Sequence, residues 1–322
     1  ERALLRAGQV LFTYLHLAPD PAQTADLLGA GVTAIAYETV TDRNGGLPLL
    51  APMSEIAGRL AAQAAAQHTL STEGGPGILL GGTPGVRPAR VLVLGGGVVG
   101  TQAAQLAVGL RAEVTILDAY LPRVRQLTEL FGATARVLAS NPATIERELR
   151  EADVVIGSVL VPGAAAPKLV RREHLGIMKP GTLLIDVAID QGGCFETSHA
   201  TTHEDPVYTV DDVLHYCVAN MPGAVARTST QALGNATLPF VVALAVAGAT
   251  AMLASHLLSI PLGQTMIAFA PGGIEAMVML AFMMDLDPAY VAVHQLGRFL
   301  LMLVLVPVMA RFVLGRGWRD TR

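Results

Sequence analysis

A short glycine-rich segment that follows an apolar run constrains the fold of this chain more than any other feature. The segment RVLVLGGGVVG, residues 90–100, has glycines at positions 95, 97 and 100. We expect a buried strand over residues 91–94 that turns tightly at Gly95, followed by a helix that packs close to the strand at Gly100. Because Gly97 lacks a β-carbon, a pyrophosphate can approach the backbone at the positive end of this helix. The pattern predicts a dinucleotide site.

An acidic residue ends the next apolar run, EVTILD, at Asp118. At the tip of a second strand, this carboxylate can accept hydrogen bonds from both hydroxyls of a ribose. The same negative charge would repel a 2′-phosphate. The sequence therefore predicts NAD as the cofactor in preference to NADP.

Apolar runs alternate with helix-like stretches through the middle of the chain. The runs are RVLVL, EVTIL, ATARVL, DVVIGSV and TLLIDVA, and helices are expected after Pro122, from Asn141 and near residues 171–175. Short apolar strands separated by helices are typical of a parallel sheet that is covered on both faces. We predict an α/β fold with a doubly wound parallel sheet of the Rossmann type. Ligands should lie beyond the carboxyl ends of its strands.

The first 50 residues predict part of a second α/β domain. A strand is expected within residues 8–18, a short helix over 21–28 with Asp20 as its cap, and another strand over 31–40. Ser54 is expected to cap the helix that follows. The chain begins without an initiator methionine or a signal-peptide pattern, so we expect the opening elements of this domain to be missing.

Charged residues are absent between Arg227 and Glu275, although 15% of the whole chain is charged. Within this stretch, residues 240–260 are long enough to cross a bilayer's hydrocarbon core of about 30 Å as a helix. Arginines follow a second apolar stretch, 299–310, as expected on the cytoplasmic side of a membrane. A buried helix of a soluble domain is the alternative for the first stretch. The predicted domains are 1–50 (remnant of a substrate domain), 51–226 (NAD-binding domain), 227–244 (helix returning to the first domain) and 245–322 (apolar helical tail).

Charge and cysteine content exclude some classes of protein. The net charge of −4 provides no basic field for nucleic acid. Cys194 and Cys217 are far apart and have no His or Cys neighbours at ligand spacing, so we predict packing residues in a reducing cytosol and no metal site.

Five longer blocks resemble the alanine dehydrogenase family. They are TYLHLAPD (13–20), AYETV (36–40), PMSEIAGR (52–59), DVAIDQGGCFE (186–196) and CVANMPGAVARTSTQALGNAT (217–237). The similarity runs from residue 1 to about residue 244 in the family's order. It implies NAD-dependent oxidative deamination of L-alanine to pyruvate and ammonia by a cytoplasmic homohexamer.

The resemblance also implies roles for individual residues. His16 matches the family's acid/base histidine, and imidazole can lose and regain a proton near neutral pH. Asp190 matches its catalytic aspartate, which can hold the water or the amino group. Without the resemblance, a histidine after a strand is more often a capping or surface residue, and an aspartate before Gln-Gly-Gly is an ordinary turn. Besides Gly95, Gly97 and Gly100, the residues implied for the cofactor are Ser54, Asp118, Arg123, Ser140, Val159, Leu160 and Asn220.

The chain departs from the family at both ends. In the family an arginine and a lysine from the opening of the first domain bind the substrate carboxylate, and both precede the start of this sequence. We therefore expect NAD binding with poor or no turnover of alanine, since charge-assisted hydrogen bonds contribute about 1.5–3 kcal/mol each.

The tail, over residues 249–314, resembles the end of the AbrB-type integral membrane family, especially in APGGIEAMVMLAF and AVHQLGRFLLMLVLVPVMAR. This implies membrane association through residues 245–322, which would tether a cytoplasmic dehydrogenase to the inner membrane.

Two alternative functions stay open for the chain. The alpha subunit of proton-translocating transhydrogenase pairs a homologous NAD domain with membrane helices, although the DQGGC and VANMP blocks favour the alanine enzyme. The other is a catalytically silent NAD-binding module tethered to a membrane.

Overall fold

The computed structural model describes residues 2–17, 20–42, 45–159, 166–270 and 274–313. The chain forms two compact units, residues 1–234 and 235–322.

The first unit begins with a small parallel sheet. Strand β1 (Val10–Thr13) pairs with β2 (Thr33–Ala36), and helix α1 (Pro21–Ala30) connects them. The predicted cap of α1 is confirmed, because the Asp20 carboxylate accepts the backbone N–H of Gln23 at 2.8 Å. A single 3₁₀ turn, Tyr37–Thr39, follows β2.

Among the described residues of the first unit, the main sheet has seven strands in the order β5-β4-β3-β6-β7-β9-β8. Their bounds are β3 Arg90–Leu94, β4 Glu113–Asp118, β5 Ala135–Ala139, β6 Val154–Gly157, β7 Leu183–Asp186, β8 Val207–Val210 and β9 Val213–Tyr216. All neighbouring strands are parallel except β8 and β9. The predicted doubly wound sheet is confirmed.

The hairpin of β8 and β9 extends the sheet beyond the strands that the sequence predicts. Asp211 and Asp212 connect the two strands, and both have left-handed backbones with φ of 49° and 60°. Short polar side chains tolerate this conformation better than most residues do. The turn matches the twist of an antiparallel pair and places β8 at the sheet edge.

Helices cover both faces of the main sheet, as expected for a buried parallel sheet. They are α2 Ala51–His68, α3 Val98–Gly109, α4 Leu121–Phe131, α5 Pro142–Glu151 and α6 Arg172–Leu175. Alanines of α2 and α3 pack with Val91 and Val93 in one core cluster, whereas Leu149 of α5 packs with Leu92 and Leu94 in the other. Helices α2 and α3 approach so closely that a β-carbon on Gly58 of α2 would lie 2.2 Å from the carbonyl oxygen of Val99 of α3.

The expectation that Ser54 caps α2 is wrong. The helix begins at Ala51, and the backbone N–H of Ser54 already donates to the carbonyl oxygen of Leu50 at 3.1 Å. Pro52 favours this earlier start, because proline lacks a backbone N–H and fits the first turn of a helix. Ser54 therefore lies one turn inside the helix.

The second unit is helical. Helix α7 (Ala226–Leu258) runs into it and is followed by α8 (Leu262–Phe269), α9 (Ile274–Met283) and α10 (Pro288–Val313). Its small core contains Ile267, Ala268, Ala281 and Val291. Among the described residues, one helical stretch, Met221–Leu258, is long and apolar enough to cross a membrane.

Candidate active site

The turn between β3 and α3 shows why glycine is needed at two of the predicted positions. Gly95 has a φ of +97°, and a β-carbon there would lie 2.8 Å from Cγ2 of Val159. A β-carbon on Gly100 would lie 1.8 Å from the carbonyl oxygen of Gly95, so larger residues would push α3 away from the turn. At Gly97 the situation is the reverse, because a β-carbon would meet no atom within 4 Å. The position leaves open space beside the start of α3.

A cavity of about 470 Å³ opens at the carboxyl ends of β3, β4 and β6. Its lining includes six of the predicted cofactor residues, namely Ser54, Gly95, Gly97, Asp118, Ser140 and Val159. Gly100 is buried behind the turn, and Leu160 lies outside the described residues. Strands that end at one edge of the sheet thus bring together residues that are far apart in sequence.

Asp118 is oriented by two backbone groups at the tip of β4. One carboxylate oxygen accepts the N–H of Gly96 and the other accepts the N–H of Tyr120, each at 2.8 Å. A carboxylate oxygen can accept more than one hydrogen bond, so both remain able to bind a further donor. The backbone N–H of Ser140 donates to the carbonyl oxygen of Asp118 at 2.9 Å, which joins two residues of the cavity wall.

Arg123 is not part of the cavity lining. Its Nε donates to the carbonyl oxygen of Gly96 at 2.7 Å, and one terminal nitrogen donates to the hydroxyl of Thr101 at 2.9 Å. The side chain therefore supports the glycine turn, and its direct contact with a cofactor stays a prediction.

A second cavity, of about 150 Å³, brings His16, Asp190 and Asn220 together. Leu50, Ser54 and Val99 belong to its lining and also to that of the first cavity. The two cavities are therefore neighbours within the first unit. The residues implied for catalysis lie beside the space implied for the cofactor.

His16 follows β1 and has a left-handed backbone, with a φ of 46°. Its backbone N–H donates to Oε1 of Glu38 at 2.6 Å, and the N–H of Leu15 donates to the same carboxylate. This conformation is unfavourable for a residue with a β-carbon, so a charged acceptor that binds two consecutive N–H groups stabilises it. Glu38 is a residue of the site for which the sequence alone predicts no role. Its only sequence signal is its place in AYETV, at the end of the strand that pairs with β1.

Asp190 lies in the 3₁₀ turn Ile189–Gln191 that follows β7. Its carboxylate accepts the backbone N–H of Asn220 at 3.3 Å. Burial among protein atoms raises the pKa of Asp190, even though the residue as a whole retains solvent contact. The hydrogen bond from Asn220 and the nearby His16 oppose this rise in the pKa. Such a carboxyl group is easier to protonate than an ordinary aspartate.

Tyr14 completes the wall of the second cavity next to His16. Its hydroxyl donates to the carbonyl oxygen of Leu49 at 2.5 Å. The rings of Tyr14 and His16 stack with their centroids 5.9 Å apart. Burial, with a smaller effect from Glu38, raises the pKa of Tyr14 to about 12. The phenol is therefore a neutral hydrogen-bond donor at physiological pH.

A fully buried carboxylate, Asp186, organises the turn that carries Asp190. It accepts the backbone N–H groups of Ala188, Cys194 and Phe195 and the hydroxyl of Ser198. Burial raises its pKa, and these hydrogen bonds oppose the rise. Both cysteines are buried, and Cys194 contacts Asp186.

Family models match nearly the whole of the described sequence. Those for the N-terminal and C-terminal domains of alanine dehydrogenase/PNT match residues 1–57 and 61–265. A model described as transition state regulatory protein AbrB matches residues 217–314 and overlaps the second of these.

Known relatives and solved structures are similar over about three quarters of the chain. Alanine dehydrogenase of Halomonas elongata is 62% identical over 77% of this chain and 67% of the relative. That of Mycobacterium tuberculosis is 54% identical over 76% of this chain and 66% of the relative. A structure of L-alanine dehydrogenase has a TM-score of 0.71 at 54% identity, covering 76% of this chain and 68% of that one. A transhydrogenase from Sinorhizobium meliloti has a TM-score of 0.63 at 26% identity, covering 74% and 69%. The chain spans about two thirds of the length of these relatives.

Proposed function

Because the chain belongs to the alanine dehydrogenase/PNT family, we propose that its first unit binds NAD and interconverts L-alanine with pyruvate and ammonia. One observation carries the proposal. Ser54 lines both the cavity that contains the glycine turn and Asp118 and the cavity that contains His16 and Asp190. A cofactor in the first cavity would therefore meet a substrate in the second.

The residues of the first cavity fit a dinucleotide. Gly97 leaves space beside the N-terminus of α3, where backbone N–H groups can bind phosphate. Asp118 can accept hydrogen bonds from a ribose, and its negative charge disfavours a 2′-phosphate, which supports NAD in preference to NADP. When bound, NAD would supply the acceptor for a hydride from the substrate carbon.

The residues of the second cavity fit the proton transfers of the reaction. His16 would take the proton released as the amine becomes an imine and water adds to it, because imidazole changes charge near neutral pH. Asp190 would orient the attacking water or the amino group. Tyr14, neutral and hydrogen-bonded to Leu49, shapes the wall beside His16.

Binding and turnover together test this proposal. Calorimetric titration with NADH should show one site per chain, and NADH oxidation by the chain joined to the family's opening segment should depend on both pyruvate and ammonium. A titration of the folded protein with NADH that produces no heat of binding would overturn the proposal. Binding without turnover even in the extended chain would favour the silent NAD-binding module, and hydride exchange between NADH and an NADP analogue would favour a transhydrogenase.

We propose further that the second unit tethers the enzyme, as a homo-oligomer, to a membrane. The unit contains residues 235–258 of the apolar stretch Met221–Leu258, and it exposes large apolar side chains such as Leu257 (69%), Phe282 (74%) and Met283 (76%). Exposed apolar surface of this extent is typical of lipid or protein contact. The full chain should sediment with membranes after an alkaline carbonate wash, and a chain that lacks residues 246–322 should not. Recovery of the full chain in the soluble fraction would contradict the tether.

A further inference from the structure

Lys168 belongs to a segment that borders the candidate active site. Its sequence neighbours, Pro167 and Leu169, both line the cavity assigned to the cofactor. Its Nζ donates to the carbonyl oxygens of Gly192, Gly193 and Phe195 at 2.5, 2.8 and 3.1 Å. An ammonium group has three N–H donors, so this turn engages all of them.

The acceptors of Lys168 belong to the turn that carries Asp190. This turn, residues 188–198, presents its backbone N–H groups to the buried carboxylate of Asp186 and three of its carbonyl oxygens to Lys168. A β-carbon on Gly193 would lie 2.6 Å from Oδ2 of Asp186, and the φ of this glycine is +73°. The turn is thus held between the buried carboxyl group of Asp186 on one side and the exposed ammonium group of Lys168 on the other.

Backbone hydrogen bonds connect the same two segments along their length. The N–H of Ala166 donates to the carbonyl oxygen of Gln191 at 3.2 Å, and that of Leu169 donates to the carbonyl oxygen of Cys194 at 2.8 Å. Lys168 adds its three hydrogen bonds between these two contacts. Through these hydrogen bonds, a displacement of residues 166–169 would move the turn that places Asp190 and Gln191 in the second cavity.

We propose that Lys168 is a positioning residue that couples cofactor binding to the placement of Asp190. A cofactor that packs against Pro167 and Leu169 would fix this segment, and Lys168 would fix the catalytic turn in response. The proposal rests on the proposed function, since it assigns the first cavity to NAD(H) and the second to the substrate.

Hydrogen exchange of the full chain, measured with and without NADH, tests the coupling. We expect NADH to slow the exchange of amides in residues 189–198 by about tenfold, as local opening of the turn becomes less frequent. In Lys168→Met, NADH should still bind with a dissociation constant within about threefold of the parent value. The ratio of the exchange rates at residues 189–198 without and with NADH should fall to about one. A purely structural role would speed exchange equally with and without NADH and leave the NADH-dependent ratio unchanged, which would overturn the proposal.

Two further variants make the result specific. The other lysine of the chain, Lys179, donates to Asp153 and to the carbonyl oxygen of Glu151, at the opposite end of the strands. Lys179→Met should keep the full NADH-dependent slowing at residues 189–198. If Lys168→Met fails to fold, Lys168→Leu, which also lacks an N–H donor, must also lose the slowing.

The failure of each proposal is distinguishable. Bound NADH that leaves exchange at residues 189–198 unchanged in the parent chain would overturn the role of Lys168 alone. A parent chain that binds no NADH would overturn the proposed function and the coupling together.

Discussion

The Oδ2 atom of Asp118 accepts a hydrogen bond from the backbone N–H of Gly96 at 2.8 Å. The acid proposed to bind the ribose therefore also holds the turn proposed to approach the pyrophosphate. Arg123 binds the carbonyl oxygen of the same glycine, so both polar groups of Gly96 are used. A single residue of the turn connects two parts of the proposed dinucleotide site.

Replacement of Asp118 should alter the choice of cofactor. In Asp118→Asn the charge is lost but the shape is kept, and we expect the affinity for NADH to fall about 10- to 100-fold, the range of a charge-assisted hydrogen bond. The affinity for NADPH should fall less or rise, because the repulsion of its 2′-phosphate is removed. Fluorescence titration with both nucleotides measures the two constants. An unchanged ratio of the constants would contradict the role of this carboxylate.

Gly97 permits a cleaner test, because the protein itself has room for a larger residue there. A β-carbon would meet no protein atom within 4 Å, so Gly97→Ala should leave the melting temperature unchanged within the error of the measurement. The added methyl group would occupy the space assigned to the pyrophosphate, and we expect NADH to bind at least about tenfold more weakly. Gly109→Ala is the matched control, since a β-carbon at the end of α3 also meets no atom within 4 Å. Equal affinities of the two variants would exclude a phosphate at Gly97.

Features that depend on local sequence were the ones that could be predicted. The glycine turn, the acid at the tip of β4 and the cap at Asp20 each arise from residues close together in the chain. The order of apolar runs also indicates a parallel sheet, because strands buried on both faces leave an uninterrupted apolar signature. Because the carboxyl ends of parallel strands lie at one edge of the sheet, the strand order alone predicts that the cavity residues lie close together.

Features that depend on tertiary contacts could not be predicted from the local sequence. Glu38 binds the backbone of His16 only because β1 and β2 pair in a particular register. Lys168 reaches a turn more than 20 residues away through contacts that no local pattern encodes. The strands β8 and β9 are only four residues long and meet at Asp-Asp, which is a weaker hairpin signal than Asn-Gly.

Asp186 should be important for the stability of the first unit. All of its protein contacts are donors, and Asp186→Asn would place an amide N–H group among them. A buried donor without an acceptor costs about 1–3 kcal/mol, so we expect a loss of this size in the free energy of unfolding. Urea denaturation followed by circular dichroism measures it. Asp26→Asn is the control, because Asp26 is exposed and its ion pair with Arg2 should contribute less than about 1 kcal/mol.

Asp190 should lower the stability of the folded chain at neutral pH. Since burial raises its pKa in the folded state, the folded chain binds the proton more tightly than the unfolded chain does. Below the ordinary aspartate pKa, the side chain is neutral in both states and does not lower the free energy of unfolding. As the pH rises from the unfolded-state pKa to the folded-state pKa, the free energy of unfolding decreases. Asp190→Asn removes the charge and keeps an oxygen that can accept the N–H of Asn220.

Thermal unfolding at two pH values measures this effect. At pH 7, we expect Asp190→Asn to melt at a higher temperature than the parent chain. Near pH 3, below the ordinary carboxyl pKa of about 3.9, the two melting temperatures should converge, because both side chains are then neutral. A variant that melts below the parent at pH 7 would show that the carboxylate stabilises the fold. A higher melting temperature of the variant would instead mean that the site retains a charge at a cost in stability, as expected if Asp190 has its proposed role in the reaction.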